Sequence, residues 1–150
     1  MLNNGQSKVI EDIITYINDN IKTDTQTFYP MFTFNELSTT KDSCCLTTSE
    51  NKKPEEKNAD VTGLFKAGVV TLDVIYRVLE VEDGIDDLIY INKLDSFIDW
   101  LKSKQKELKS STYFVDNVVL ISNGSLDKIY SGGIKDFKAT FQINYEREVN

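Results

Sequence analysis

A strict two-residue alternation near the end of the sequence constrains this fold more than any other feature. From Phe137 to Tyr145 every second residue is apolar (Phe137, Ala139, Phe141, Ile143, Tyr145), with Lys138, Thr140, Gln142, Asn144 and Glu146 interleaved or following. A period of two sends successive side chains to opposite sides of an extended backbone, so this segment is a strand with one buried face. Lying so close to the end of the sequence, it is expected to leave an open strand edge for a neighbouring molecule. A second alternation, Val70, Leu72, Val74, Tyr76 and Val78, is interleaved with Thr71, Asp73, Ile75, Arg77 and Leu79. One wholly apolar face and one mixed face predict a long strand in the centre of the sheet.

Two helical stripes supply the layer that covers such a sheet. Ile10, Ile13, Ile14, Ile17 and Ile21 share one face of a first helix, with Ser7 as the expected N-cap. A second helix is expected from about Ile85 to Lys106, burying Leu88, Ile91, Leu94 (or Asp95 beside it), Ile98 and Leu101, with Phe97 and Trp100 widening the stripe. Its acidic start and basic end suit the helix dipole. The carboxylates Glu80, Glu82, Asp83, Asp86 and Asp87 are read as that acidic start, with Asp83 the candidate cap, because their spacing matches no calcium loop.

The intervening segments are less regular. Phe28, Tyr29, Met31, Phe32 and Phe34 crowd around Pro30, which implies an edge, a kink or a loop. KDSCCLTT, Lys41 to Thr48, predicts a short strand with one cysteine buried and the other half-exposed. SENKKPEEKNAD, Ser49 to Asp60, has no large apolar residue and predicts an exposed loop at about 49–62, mobile in isolation. A loop of that length is more often functional than a mere connector. In the last third, YFVDNVVLIS and LDKIYS read as strands joined by a turn at Asn123-Gly124, and the closing strand follows Gly132-Gly133. The whole is α+β: a largely antiparallel mixed sheet with two main helices packed on one face. At 150 residues and 40% hydrophobic, the chain suffices for one core and one domain, 1–150.

Composition narrows the chemistry. The absence of histidine removes imidazole triads, dyads and metal ligands. Cys44 and Cys45 are adjacent, so an ordinary disulfide between them would be strained, and no second pair completes a zinc site. A formal charge of −7 disfavours direct reading of nucleic acid. The glycine turns at Ser122–Ser125 and Ser131–Gly133 lack the helix and lysine of a phosphate loop. No apolar run approaches the roughly 20 residues of a membrane span, and the start lacks a signal-peptide pattern, so the chain is expected to work in the cytoplasm where it is made. No catalytic residue, metal or cofactor is therefore expected. Arg77 and Arg147 are each either an ion-pair member at a sheet edge or an interface contact.

In order, VIEDIITYINDNI, VIYRVLE, LIYINKLDSFIDWL and above all GGIKDFKATFQINYER resemble the tail terminator proteins of long-tailed bacteriophages and contractile phage-tail-like particles. The resemblance covers most of the chain but not the loop from Ser49 to Asp60. It implies a mixed sheet flanked by helices, six copies in a closed ring at the tail–neck junction of the virion, and no catalysis. The ring's partners would be its own copies, the tail tube protein, the head–tail connector and, in contractile tails, the sheath protein; assembly would occur in the bacterial host cytoplasm, without a membrane. The expected subunit or tube contacts are Phe28, Tyr29, Met31, Phe32, Arg77, Asp136, Glu146, Arg147 and Glu148. Lys52, Lys53, Glu55, Glu56 and Lys57 are the expected partner-binding part of the loop. A head-completion connector, or a small-ligand-binding α+β domain, is the competing reading.

Overall fold

The computed structural model describes residues 2–50, 52–79 and 84–149. Helix α1, Asn4–Thr25, begins at a capping box: the Asn3 side chain accepts from Gln6 N at 2.8 Å while Gln6 Oε1 accepts from Asn3 N at 3.0 Å. The cap is thus Asn3 and not Ser7, whose own N–H already bonds Asn3 O inside the helix. Val9, Ile10, Ile13, Ile17 and Ile21 are buried, and Ile14 packs at the rim.

Six strands form one sheet: β1 Phe32–Phe34, β2 Ser43–Thr48, β3 Glu55–Glu56, β4 Phe65–Val78, β5 Tyr113–Ile129 and β6 Lys135–Glu148. Their order is β1-β2-β4-β6-β5, with β3 also on β4. Only β1–β2 is parallel, so the fold is α+β with a mixed, largely antiparallel sheet. The long β4 is central, as its two-faced pattern predicts. The closing strand β6 is interior as well, paired along its length to β4 and β5, which corrects the expectation of an open edge there. Its outward-looking residues face the helix-free side of the sheet, and both its backbone edges are occupied. Among the described residues the ends of the strand path are β1 and β5, and the two-residue β3 also has β4 as its single partner.

The apolar rows of β4 (Val70, Leu72, Val74, Tyr76, Val78) and β6 (Phe137, Ala139, Phe141, Ile143, Tyr145) are buried in one cluster with α1 and with helix α2, Gly84–Ser103. At about 1.5–3 kcal/mol for each fully buried large side chain, this single layer is the main source of stability. Phe97 is its hub, stacked on Phe32 at 5.0 Å and edge-on to Phe141 at 6.0 Å. Leu94, Phe97, Ile98, Trp100 and Leu101 are buried as expected, but Leu88 is 57% exposed. The inward position at that turn is Asp87, one residue earlier, which pairs with Lys135 of β6 at 2.9 Å. Helix α2 ends at Ser103, before the expected Lys106, and a short 3-10 turn follows at Gln105–Glu107. Glu80, Glu82 and Asp83, including the expected cap, lie outside the described residues.

The last third is a hairpin of two long strands, not a three-stranded meander. Asn123-Gly124 is no turn: β5 runs straight through it, with four register shifts against β6 that each add one residue to β5. Gly124 fits a close approach to α2, its N–H donating to Asp95 Oδ1 at 2.6 Å, and a Cβ there would stand 2.7 Å from Ile91 O. The true reversal is at Ser131–Gly133, where Gly132 and Gly133 both have φ of 82°. Both cysteines are buried, correcting the half-exposed reading: Cys45, although on the helix-free face, sits in register between Thr33 and Ile75 with strands on either side. No helix among the described residues is long and apolar enough to cross a membrane.

Candidate interaction surfaces

The two arginines form ion pairs within the chain. Arg77 on β4 grips Asp136 on β6 in a forked contact, Nε to Oδ1 at 2.7 Å and Nη2 to Oδ2 at 3.0 Å, and Tyr130 donates its hydroxyl to the same carboxylate at 3.1 Å. Asp136 is only 3% exposed, so this pair ties two central strands and is not an open contact. Arg147 on β6 makes the same fork with Glu56 of β3, to which Tyr145 Oη donates at 2.9 Å and Asn3 Nδ2 at 2.7 Å. Four bonds to Glu56, led by those from Arg147, hold its pKa down at about 2. Room for this knot comes from two glycines, since a Cβ at Gly5 would stand 2.6 Å from Arg147 Nε and one at Gly68 only 2.2 Å from the Tyr145 ring.

The knot changes the reading of the 49–62 loop and of the chain's last residues. Glu55 and Glu56 pair with Val69 and Gly68, Lys57 N bonds Ala67 O, and Lys52 Nζ reaches Gln142 Oε1 at 3.0 Å. The segment is a strap laid on the sheet, and Glu56 is a structural anchor. Lys53, Glu55 and Lys57 keep exposed side chains. Likewise Glu148 N bonds Thr112 O and Val149 N bonds Leu64 O, so these residues are woven into the domain. Glu148 has an exposed side chain, while Glu146 is half-buried, its pKa raised by desolvation and by Asp116 beside it.

The aromatic segment divides. Phe32 is 2% exposed in the core, and Tyr29 leans on it with its hydroxyl donated to Lys93 O at 2.8 Å, so neither is a free contact. Pro30 lies in the loop before edge strand β1, where its missing N–H costs no ladder bond. Phe28 and Met31, 62% and 74% exposed, overhang a cavity of about 420 Å³ along that edge. The opposite edge carries a set that the sequence reading did not single out: Leu120, Ile121, Leu126 and Ile129 on β5, all at least 36% exposed. Residues 105–109 cover the start of this strand, with Val115 N bonded to Leu108 O and Val118 N to Gln105 Oε1. Beyond that, no strand among the described residues pairs with its outer side. Nothing in LDKIY marks that edge: Leu126, Ile129 and Tyr130 fall at i, i+3 and i+4, which departs from a strand's two-residue period without showing what leaves them uncovered.

The molecule is thus an α+β domain with one helix-covered sheet face, one open polar face and two free edges bearing apolar side chains. The chain matches no protein-family model and no curated protein.

Proposed function

We propose that this chain is a structural assembly protein, the subunit of a ring that caps the tail tube of a phage or phage-tail-like particle. The ring ends tube polymerisation and provides the joint to the head connector, at the tail–neck junction of the virion. The observation that carries this reading is the pair of unlike apolar edges at opposite ends of one sheet. Phe28 and Met31 flank β1, and Ile121, Leu126 and Ile129 lie on β5. Two different patches suit a head-to-tail contact, which closes into a ring when the rotation between neighbours allows. An interface of standard size needs about 800 Å² from each partner, more than one edge residue supplies, so several must act together. Because β5 is bulged four times, its contact relies on side chains and not on a continuous added strand. The mixed sheet with helices on one face agrees with what the resemblance implies.

The test is electron microscopy of particles produced when the gene is disrupted. Overlong, uncapped tails beside unjoined heads support the terminator. Tails of normal length that fail to join heads would move the protein to the connector, and unaffected particles would refute both.

A further inference from the structure

The open, helix-free face of the sheet is not flat. It holds a trough of about 460 Å³ whose floor is β4 and β6 and whose walls are the end of β2 and the bulged middle of β5. The register places Thr47, Asp73, Thr140 and Ser122 in one row across four strands, so a carboxylate lies between hydroxyls at the floor. The bulges around Ile121 and Asn123-Gly124 increase the local twist of β5, which raises Ser122 and Ser125 as a wall.

Asp73 is the group that needs explanation. It is 7% exposed, and Thr140 Oγ1 donates to its Oδ1 at 2.6 Å in the only hydrogen bond its carboxylate receives among the described residues. No cation comes within ion-pair distance of it there: Lys138, on the same face, is held by Asp127 at 3.3 Å, and Arg77 by Asp136. A carboxylate withdrawn from water with one hydroxyl for company is costly, and it opens into a cavity of ligand size. No group of three or more carboxylates or cysteines among the described residues is arranged to hold a metal ion. Glu50 adds a second negative charge on the β2 side, away from Lys128 and Lys138 on the β5 and β6 side.

We propose that this trough is a binding site for an organic cation, an ammonium or guanidinium group that pairs with Asp73 and gives its remaining N–H groups to the flanking hydroxyls of Thr47 and Thr140, with Ser122 and Ser125 as the wall on the far side. The cation enters on the β2 side, under Glu50. The chain's net charge of −7 favours its approach. The same chemistry is carried by a free amine and by a lysine or arginine of a partner protein. The site is independent of the ring reading, and either can fail without the other.

The experiment is an NMR titration of ¹⁵N-labelled full-length protein with agmatine, with cadaverine and with the blocked peptide acetyl-Gly-Arg-Gly-amide, using glutarate as the anionic control. Expected are saturable shifts at Thr47 to Glu50, Asp73 and Ser122 to Ser125 with at least one cation and none with glutarate. Asp73→Asn keeps the acceptor for Thr140 but removes the charge, and should weaken binding about tenfold or more. Ser125→Leu, at an exposed wall position, should block the trough without touching the floor. Shifts with the free amines assign a small molecule, and shifts with the peptide alone assign a partner's side chain. No saturable shift with any cation at millimolar concentration would overturn the site, as would unchanged affinity in the folded variants. Should Asp73→Asn fail to fold, Ser125→Leu and the glutarate control decide.

Discussion

Arg147→Met separates a structural anchor from an interface contact. Arg147 and Glu56 have side chains 18% and 9% exposed, so removal of the guanidinium strands a carboxylate that water reaches poorly. Breaking a buried pair costs about 3–5 kcal/mol. Here Tyr145 and Asn3 still donate to Glu56, which places the loss near the lower end. The depressed Glu56 pKa, held at about 2 by all four bonds with Arg147 the largest cause, sets an upper figure for the knot: at about 1.4 kcal/mol per pKa unit the whole is worth about 3 kcal/mol. For a domain of this size that lowers Tm by about 6–12 °C. The sign of the pH dependence follows from the depressed pKa. The stabilisation is fully present above pH 4.5 and is lost as pH falls through the window from 4.5 to about 2. Thermal unfolding followed by circular dichroism should therefore show a constant gap between wild type and Arg147→Met from pH 7 to about 5, closing below that. A gap under about 0.5 kcal/mol at pH 7, the value of an exposed pair, would refute the reasoning. So would a gap that persists unchanged at pH 2, or additive effects of Glu56→Gln and Arg147→Met in a double-mutant cycle.

Other outcomes follow from the same structure. Gly124→Ala drives a Cβ to 2.7 Å from a helix carbonyl that cannot rotate away, and should cost about 1–3 kcal/mol in urea denaturation. Cys44 and Cys45 are buried with pKa values raised by desolvation, Cys45 to about 11, so neither should be alkylated by iodoacetamide at pH 8 until urea unfolds the chain, as mass spectrometry would show. Deleting residues 146–150 removes Arg147 and the bonds to Thr112 and Leu64, and should destabilise the isolated domain, measured by Tm, before any effect on assembly is read. Phe28→Ser with Met31→Ser, or Ile129→Ser alone, should leave Tm within a few degrees but abolish ring formation in sedimentation velocity at high concentration or on tail tubes; intact rings would refute the two-edge contact.

The parts legible in the sequence were those whose signal is periodic and whose environment is one-sided. The stripes of α1, β4 and β6 each repeat four or five times, and in each the apolar face met the core. Asn123-Gly124 misled because a turn dipeptide reports only local backbone preference, whereas the strand continues if the next residues still find a partner. Here β6 is long enough to pair with all of β5, and α2 accepts the glycine's N–H. Leu88 misled by one position, since a stripe read without the sheet cannot tell that Asp87 has Lys135 opposite. Glu56 was hidden in a charged run because its partner lies 91 residues away. Of the proposed contacts, Phe28 and Met31 were visible as excess aromatic and apolar side chains. The β5 edge was not, because exposure is a property of what fails to cover a strand.

The place of β6 between β4 and β5 also sets an order of events during synthesis. An interior strand is made after both of its neighbours in chain order, with Val78 paired to Lys135 and Phe65 to Glu148. Until residues 135–148 leave the ribosome, β4 and β5 each present an unsatisfied backbone edge and half of the apolar floor. Such a nascent chain is held open by topology, slow to close and adhesive while it waits. A chaperone that shields extended apolar segments would therefore meet this protein at one defined interval, ending when the fourteen residues of β6 slide into the gap.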